Sequence, residues 1–464
     1  MLPQGAWAIK DIIGLMSSRS TTLAIALGLA VFLCVCMMFL IGVGGLAFYG
    51  VTRGQASTLR PIAATSAPLA TQTADDMNAI MSEIEQQVKE LRGWQSSKAV
   101  PRNFYNQDQI REYNLKLFEE DYSPEEARDD ALSLAAFGLL DPSFDLYNFY
   151  IDLYSENILG MYDHEADELF IITERGAMGA VERGTFAHEY QHALQDAKYD
   201  LEALGWTDEA FDADAQKFGA LQAFIEGEAM LLESQWEGQY FTTADWDDFN
   251  ANAYADPDSA YFRAPEWLQR DFYFPYDQGW QFINALYERG GWAEVDAAYD
   301  HLPISTEMIL HLDKYDDYEQ PDSVPAPPLA ETLGSGWREI DTNSNGEWYT
   351  YLILDHFIDE PEAVEAAAGW GGDRYTVAYN DSTGQTVAAW HLTWDTNGDL
   401  EEFVDAFQKY GDERFGVAAT IGDGRLCWDT ADVDSCLYFT PEATLWILAP
   451  DFETLEKVKQ ATDL

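Results

Sequence analysis

The sequence predicts an α+β protein with a single transmembrane helix near its N-terminus. Leu23 to Phe48 contains no charged residue and is longer than the ~20 residues that cross a bilayer core. From about Asp75 to Leu140, apolar side chains recur at the spacing of amphipathic helices. Residues 331–464 combine alternating apolar and polar runs with helical ones, which indicates an antiparallel sheet with accompanying helices.

The N-terminal region divides into three parts. Residues 1–20 are a short tail, and residues 21–49 are the transmembrane helix. We interpret this helix as an uncleaved signal anchor, because no clear small-residue cleavage site follows it. Residues 50–74 are rich in Ala, Ser, Thr and Pro, a composition typical of a linker.

Basic residues near the span do not set its orientation. Lys10 and Arg19 precede it, and Arg53 and Arg60 follow it, so the two sides carry equal numbers of basic residues. We expect the tail in the cytoplasm and the large remainder outside the cell membrane, since a disulfide and a salt-adapted surface suit an extracytoplasmic location.

The net charge is strongly negative, with 82 acidic against 26 basic residues and a formal charge of −56. Hydrophobic residues still make up 47% of the chain, so it is not a disordered acidic protein. In molar salt the Debye length falls to about 3 Å, which screens the self-repulsion of such a chain. The composition therefore favours a halophilic protein, or else an extracellular protein from an acidic habitat. The absence of a basic patch argues against nucleic-acid binding.

The four cysteines fall into two pairs. Cys34 and Cys36 lie within the uncharged run and are expected to be free thiols. Cys427 and Cys436 flank a short turn and form either a hairpin disulfide or two buried thiols.

The strongest motif is His188-Glu189-Tyr190-Gln191-His192, in the stretch TFAHEYQHALQDAKYDL. Histidines four apart lie on one face of a helix and can bind one zinc ion. Glu189 then sits beside the metal-bound water, where it can act as a general base. The alternative is an exposed amphipathic helix with two unrelated histidines.

A two-histidine zinc site needs a third protein ligand. The helix-like stretch LQAFIEGEAMLLESQ offers Glu226 and Glu228, which point to different faces. Composition alone leaves both open.

Two further stretches resemble the gluzincin zinc metallopeptidases of the aminopeptidase N and leukotriene A4 hydrolase group. Glu226-Gly227-Glu228-Ala229 with Glu233 resembles their "NEGFA…E" stretch, and FPYDQGWQFINALYERGG resembles their "PYEKG…" helix start. The resemblance implies that Glu226 is the third zinc ligand and that Tyr276 stabilises the oxyanion. The chain departs from the group in a longer gap between His192 and Glu226 and in lacking a "GAMEN" motif, so exopeptidase activity is not implied.

The resemblance also implies a mainly helical gluzincin domain over residues 75–320 with a small sheet. Its edge strand, along which a peptide substrate lies in that group, matches the predicted hairpin at Ile158 to Thr173. Glu233 lies seven residues after Glu226, near the same helix face, and either orients a ligand histidine or is a solvated glutamate. His311 is either a second oxyanion donor or a structural histidine.

The proline-rich segment at residues 319–330 marks a domain boundary. The C-terminal domain at residues 331–464 contains a hairpin around DSTG and the stretch EWYTYLILDHFI, which fits a helix or a strand. It offers no catalytic cluster.

Together these features predict a membrane-anchored zinc metallopeptidase that acts on peptides or proteins. One alternative is a non-catalytic surface scaffold with the gluzincin fold. Another is a zinc hydrolase with a non-peptide substrate. Oligomeric state is not indicated by the sequence.

Overall fold

The computed structural model describes residues 71–464 except 157, 174, 254–257 and 463. Up to residue 317 the elements are α1 (Ala74–Arg92), β1 (Arg102–Tyr105), α2 (Gln107–Asp121), α3 (Pro124–Ala136), α4 (Leu146–Ser155), β2 (Gly160–Asp163), β3 (Glu168–Ile172), α5 (Ala180–Tyr199), α6 (Leu201–Leu204), α7 (Asp208–Ala213), α8 (Ala215–Tyr240), α9 (Thr243–Asn252), α10 (Ala260–Arg263), α11 (Glu266–Gly290), α12 (Trp292–Ala298), α13 (Thr306–Leu310) and α14 (Leu312–Asp317). The remaining elements are α15 (Leu329–Leu333), β4 (Arg338–Asn343), α16 (Gly346–Asp355), α17 (Glu360–Ala367), β5 (Trp370–Asn380), β6 (Gln385–Trp394), α18 (Asn397–Phe415), β7 (Thr420–Gly422), β8 (Arg425–Asp429), β9 (Asp434–Phe439), β10 (Ala443–Ala449) and α19 (Phe452–Ala461).

The structure is α+β, as predicted. The prediction of a transmembrane helix as part of the fold class is not supported and is corrected. No helix within the described residues is long and apolar enough to cross a membrane. The longest, α8, fails because charged residues such as Lys217, Glu228 and Glu237 interrupt it. The predicted span at residues 21–49, the tail, Cys34, Cys36 and most of the linker lie outside the described residues.

A small sheet of order β1-β3-β2 lies before the histidine helix α5. The predicted hairpin forms β2 and β3, which pair antiparallel, while β1 pairs with β3 in parallel. β2 is therefore an edge strand of this sheet, and it packs on α5. A Cβ on Gly160 would lie 2.8 Å from the Thr185 methyl, so glycine permits this close approach.

Helix starts follow the expected local chemistry. Ser123 caps α3, with Pro124 in the first turn and Glu126 completing a capping box. Thr73 and Asp76 form the same reciprocal pair at the start of α1. These caps satisfy backbone N–H groups that a helix leaves without intrahelical partners.

Helices α8 and α11 cross with their backbones in contact. A Cβ built on Gly227 would lie closer than 3.0 Å to the backbone of Gly279, and one on Gly279 would overlap the carbonyl of Ala223. Only residues without a side chain allow this approach. The contact fixes α11 against one side of α8, and α5 packs on another side.

The C-terminal elements form a seven-stranded antiparallel sheet of order β4-β5-β6-β10-β9-β8-β7. Cys427 and Cys436 lie directly opposite each other on β8 and β9 and form a disulfide. The stretch that fitted a helix or a strand is the helix α16.

The proline-rich segment contains no helix or strand until α15 begins at Leu329. The two sides of this segment nevertheless share one cluster of buried apolar side chains, which extends from Met77 to Leu448. Between them, Ser133 of α3 donates a buried hydrogen bond of 2.8 Å to Asp341 of β4. The C-terminal sheet thus packs directly on the helical region that carries the histidines.

The glycine crossing predicts opposite effects for two alanine substitutions in α8. Gly227→Ala should lower the free energy of unfolding by ~1–3 kcal/mol or more, because the added methyl overlaps the Gly279 backbone. Gly238→Ala is the matched control, since nothing lies within 4 Å of its Cβ position, and it should raise stability by up to ~1 kcal/mol. Denaturant unfolding in molar salt measures both. Equal stability of the two variants would contradict the close crossing.

Candidate metal centre

Helix α5 places His188 and His192 on one face, and α8 brings Glu226 against them. The two Nε2 atoms are 3.0 Å apart, and Glu226 Oε2 lies 3.3 Å from each. All three donor atoms lie within 4.8 Å of one another, so the group could hold a metal ion. The exposed fractions of the three residues are 0%, 4% and 0%. The donor set is therefore assembled inside the protein.

The structure decides between the two carboxylates that composition left open. Glu226 faces the histidines, whereas Glu228, two residues later and about 200° around the helix, does not. Glu228 instead accepts hydrogen bonds of 2.6 Å from Arg92 Nε and 2.5 Å from the Tyr299 hydroxyl. It is fully buried and is engaged by groups other than the ligand histidines.

Each ligand histidine has a partner at its second ring nitrogen. His188 Nδ1 lies 3.3 Å from Glu233 Oε2, and His192 Nδ1 lies 2.8 Å from Gln195 Oε1. The sequence left Glu233 open between orienting a ligand histidine and being solvated, and the contact with His188 agrees with the first. Gln195 was not predicted, although its place three residues after His192 on a helix was the available signal. Both rings thus turn Nε2 toward Glu226.

Glu189 is held beside this group by the edge strand. Its Oε2 accepts a 2.8 Å hydrogen bond from the backbone N–H of Tyr162 in β2. Its Oε1 is buried and has no hydrogen-bond partner within the described residues. A buried oxygen without a hydrogen-bond partner lowers the free energy of unfolding by ~1–3 kcal/mol. A water or substrate group beside the ligands would remove that cost, so the site fits a metal with a small polar ligand.

Burial and the neighbouring charges shift the pKa values of Glu226 and His188 in opposite directions. Burial acts to raise the pKa of Glu226, but the two histidines outweigh it and lower the pKa to about 2. Burial acts to lower the pKa of His188, but its contacts with Glu226 and Glu233 raise the pKa to about 10. Burial also raises the pKa of Glu189. Carboxylate and imidazole therefore stabilise each other in the interior.

Tyr276 is buried on α11, one turn before the crossing residue Gly279. That position lies near the face of α11 that contacts α8, the helix that carries Glu226.

The structure does not bring His311 to the three ligands. Its Nε2 lies 2.7 Å from Glu347 Oε1. The start of α13 is bound to the start of α8, where the Thr306 N–H donates to Gln216. Gln216 lies ten residues before Glu226, roughly 15 Å along the helix. His311 thus pairs with Glu347, which favours the structural alternative over the oxyanion donor.

Comparison with known proteins gives a match in the C-terminal domain. The profile of a family described as "Domain of unknown function (DUF8575)" matches residues 331–459. No curated protein and no solved structure matches the chain significantly. The matched segment excludes all three ligand residues, so the interpretation of the site depends on its own geometry.

The geometry predicts that the chain binds about one divalent metal ion through His188, His192 and Glu226. Glu226→Ala or His192→Ala should weaken binding by more than the ~10- to 100-fold that loss of an outer partner costs. His311→Ala is the control and should bind as the unchanged protein does. Metal analysis and chelator competition in molar salt measure the affinities. An unchanged affinity in Glu226→Ala would remove this residue from the ligand set.

Proposed function

We propose that this protein is a zinc metallopeptidase. The observation that carries the proposal is the buried group of two imidazole Nε2 atoms and one carboxylate oxygen next to Glu189. Two histidines and a glutamate are a donor set typical of catalytic zinc sites, which leave a fourth position for water or substrate. A second observation is that both histidines have partners at Nδ1, as metal-binding histidines usually do.

Zinc held by these residues would act as a Lewis acid and lower the pKa of a coordinated water toward neutrality. The chain's own contribution begins with Glu189. The Tyr162 N–H holds one carboxylate oxygen of Glu189, so Oε1 is available to take a proton. Glu189 accepts a proton from the water that attacks the scissile carbonyl carbon. It then delivers that proton to the amine nitrogen as the C–N bond breaks.

The edge strand supports a peptide as substrate. In the antiparallel β2–β3 pair, Gly160 and Tyr162 direct their N–H and C=O groups away from β3, because backbone groups alternate along a strand. The Tyr162 N–H meets Glu189, so this outer edge faces the candidate site. An extended peptide that runs along this edge would bring its carbonyl groups close to Glu189.

Tyr276 is proposed as the donor to the oxyanion. The proposal combines the family resemblance with its buried position near the crossing of α11 and α8. A hydroxyl in such a water-poor site stabilises developing negative charge better than it would in water.

The proposed location is extracytoplasmic and rich in salt. A disulfide between Cys427 and Cys436 suits an oxidising compartment. A formal charge of −56 on a folded chain suits an environment in which salt screens repulsion.

One observation favours a second candidate, a metal site that serves structure alone. The ligand residues are almost completely buried, as in closed structural sites. The two functions differ in whether zinc-loaded protein hydrolyses peptides.

Glu189→Gln separates the two functions. We expect the variant to keep its zinc and to lose turnover by ~10²-fold or more, since its amide takes no proton. The assay follows new amino groups released from unstructured polypeptides in molar salt. Zinc content and unfolding midpoint serve as controls. Zinc-loaded unchanged protein that hydrolyses no peptide would favour the structural role, and an active Glu189→Gln would sink the general-base assignment.

Tyr276→Phe tests the oxyanion donor. We expect kcat to fall by ~10²- to 10³-fold with little change in KM or zinc affinity, because the lost hydrogen bond forms mainly in the transition state. A fall confined to KM, or no change in kcat, would argue against this role.

A further inference from the structure

Glu228 is a buried carboxylate next to the proposed metal centre that the reaction above does not use. It receives hydrogen bonds from Arg92 Nε at 2.6 Å, Gln191 Nε2 at 2.6 Å, Tyr299 Oη at 2.5 Å and Gln195 Nε2 at 3.2 Å. Removing a carboxylate from water is costly unless a positive charge and donors compensate. The arrangement supplies both, so Glu228 has a fixed position and fixed acceptor directions.

The amide of Gln195 can have only one orientation here. Its Nε2 lies 3.0 Å from the Ile225 carbonyl oxygen and 3.2 Å from Glu228 Oε2. A carbonyl oxygen and a carboxylate oxygen only accept, so the NH₂ group must face them. The Gln195 Oε1 therefore faces His192 Nδ1 at 2.8 Å. An amide oxygen also only accepts, so Nδ1 must carry the proton.

We propose that Glu228 and Gln195 are positioning residues that select the metal-binding tautomer of His192. With its proton on Nδ1, the neutral ring presents the Nε2 lone pair toward Glu226 and His188. Glu228 fixes the Gln195 amide, and Gln195 fixes the His192 ring. This inference rests on the metal centre of the proposed function, and it assigns to Glu228 a role different from that of a ligand.

Arg92 extends this chain of contacts to the first described helix. It lies in the last turn of α1, is fully buried, and pairs with Asp296 of α12 at 2.5 Å as well as with Glu228. Its guanidinium carbon lies 3.6 Å from the Trp94 ring centroid and 4.4 Å from that of Trp292. This packing holds the positive charge in place beside Glu228. Helices α1, α5, α8 and α12 thus meet at one carboxylate.

The two ligand histidines are oriented differently. His188 Nδ1 contacts a carboxylate directly, at 3.3 Å from Glu233. His192 contacts a neutral amide that a carboxylate holds from behind. Three contacts fix the Gln195 amide: His192 Nδ1, the Ile225 carbonyl oxygen and Glu228. Loss of Gln195 should therefore affect zinc affinity more than its single hydrogen bond to His192 suggests.

Gln195→Leu tests the proposal, with Gln191→Leu as the matched control. Both glutamines are fully buried on α5 and donate to Glu228, but only Gln195 contacts a ligand histidine. In the full chain we expect Gln195→Leu to lower zinc affinity by ~10- to 100-fold. Gln191→Leu should lower stability to a similar degree and change zinc affinity by less than ~3-fold. Chelator competition with zinc and denaturant unfolding measure the two quantities.

A spectroscopic readout separates positioning of the ligand from packing. The absorption spectrum of the cobalt-loaded protein should change in Gln195→Leu and stay unchanged in Gln191→Leu.

The outcomes separate this inference from the proposed function. Unchanged zinc affinity in Gln195→Leu, or an equal loss in Gln191→Leu, overturns the positioning role. Zinc binding without peptide hydrolysis overturns the peptidase and leaves the positioning role standing. Failure of the unchanged chain to bind zinc overturns both.

Discussion

The backbone contact between α8 and α11 is the constraint on which the arrangement of the site depends. Gly227 and Gly279 let the two helices approach more closely than any side chain would permit. Glu226 precedes Gly227, so this contact determines where α8 presents its carboxylate. Tyr276 lies one turn from Gly279, so the same contact determines the position of the buried hydroxyl. The histidines of α5 then meet α8 on its other side, and one helix relates all of these groups.

The few basic residues of this acidic chain are informative because they are rare. Arg92 compensates a buried carboxylate behind the candidate metal centre. Arg175 performs a similar role at the start of α5, where it pairs with Glu182 and Asp248. The negative surface suits salt, whereas the buried Glu228, Glu226 and Glu182 each lie beside an arginine or a histidine. Screening by salt has little influence on such buried pairs. The site can therefore keep its charge balance while the surface carries its large negative charge.

The sequence revealed the parts of the site that are local. The four-residue spacing of His188 and His192 predicts a shared helix face, and the hairpin before them follows from alternation and turn residues. Glu226 required the family resemblance, since composition left Glu228 equally open. Contacts between distant segments could not be predicted from the sequence. Arg92 and Glu228, for example, are 136 residues apart, and no local pattern links them. The four-residue β1 is too short for a periodic signal, and α16 has aromatic and β-branched residues that suit both states. The role of His311 stayed open because sequence order does not show which end of α8 its helix contacts.

The position of Arg92 makes α1 part of the structure that holds the candidate metal centre, even though α1 ends almost a hundred residues before the motif. A protease that cuts before Thr73 would leave the cap of α1 and the Arg92–Glu228 pair intact. A cut just after Arg92 would release the helix and leave a carboxylate in the interior without its cation, a loss of ~3–5 kcal/mol. Any processing that shortens this chain from its N-terminus thus has a natural stopping point near residue 73. Beyond that point, proteolysis would remove the cation that compensates Glu228.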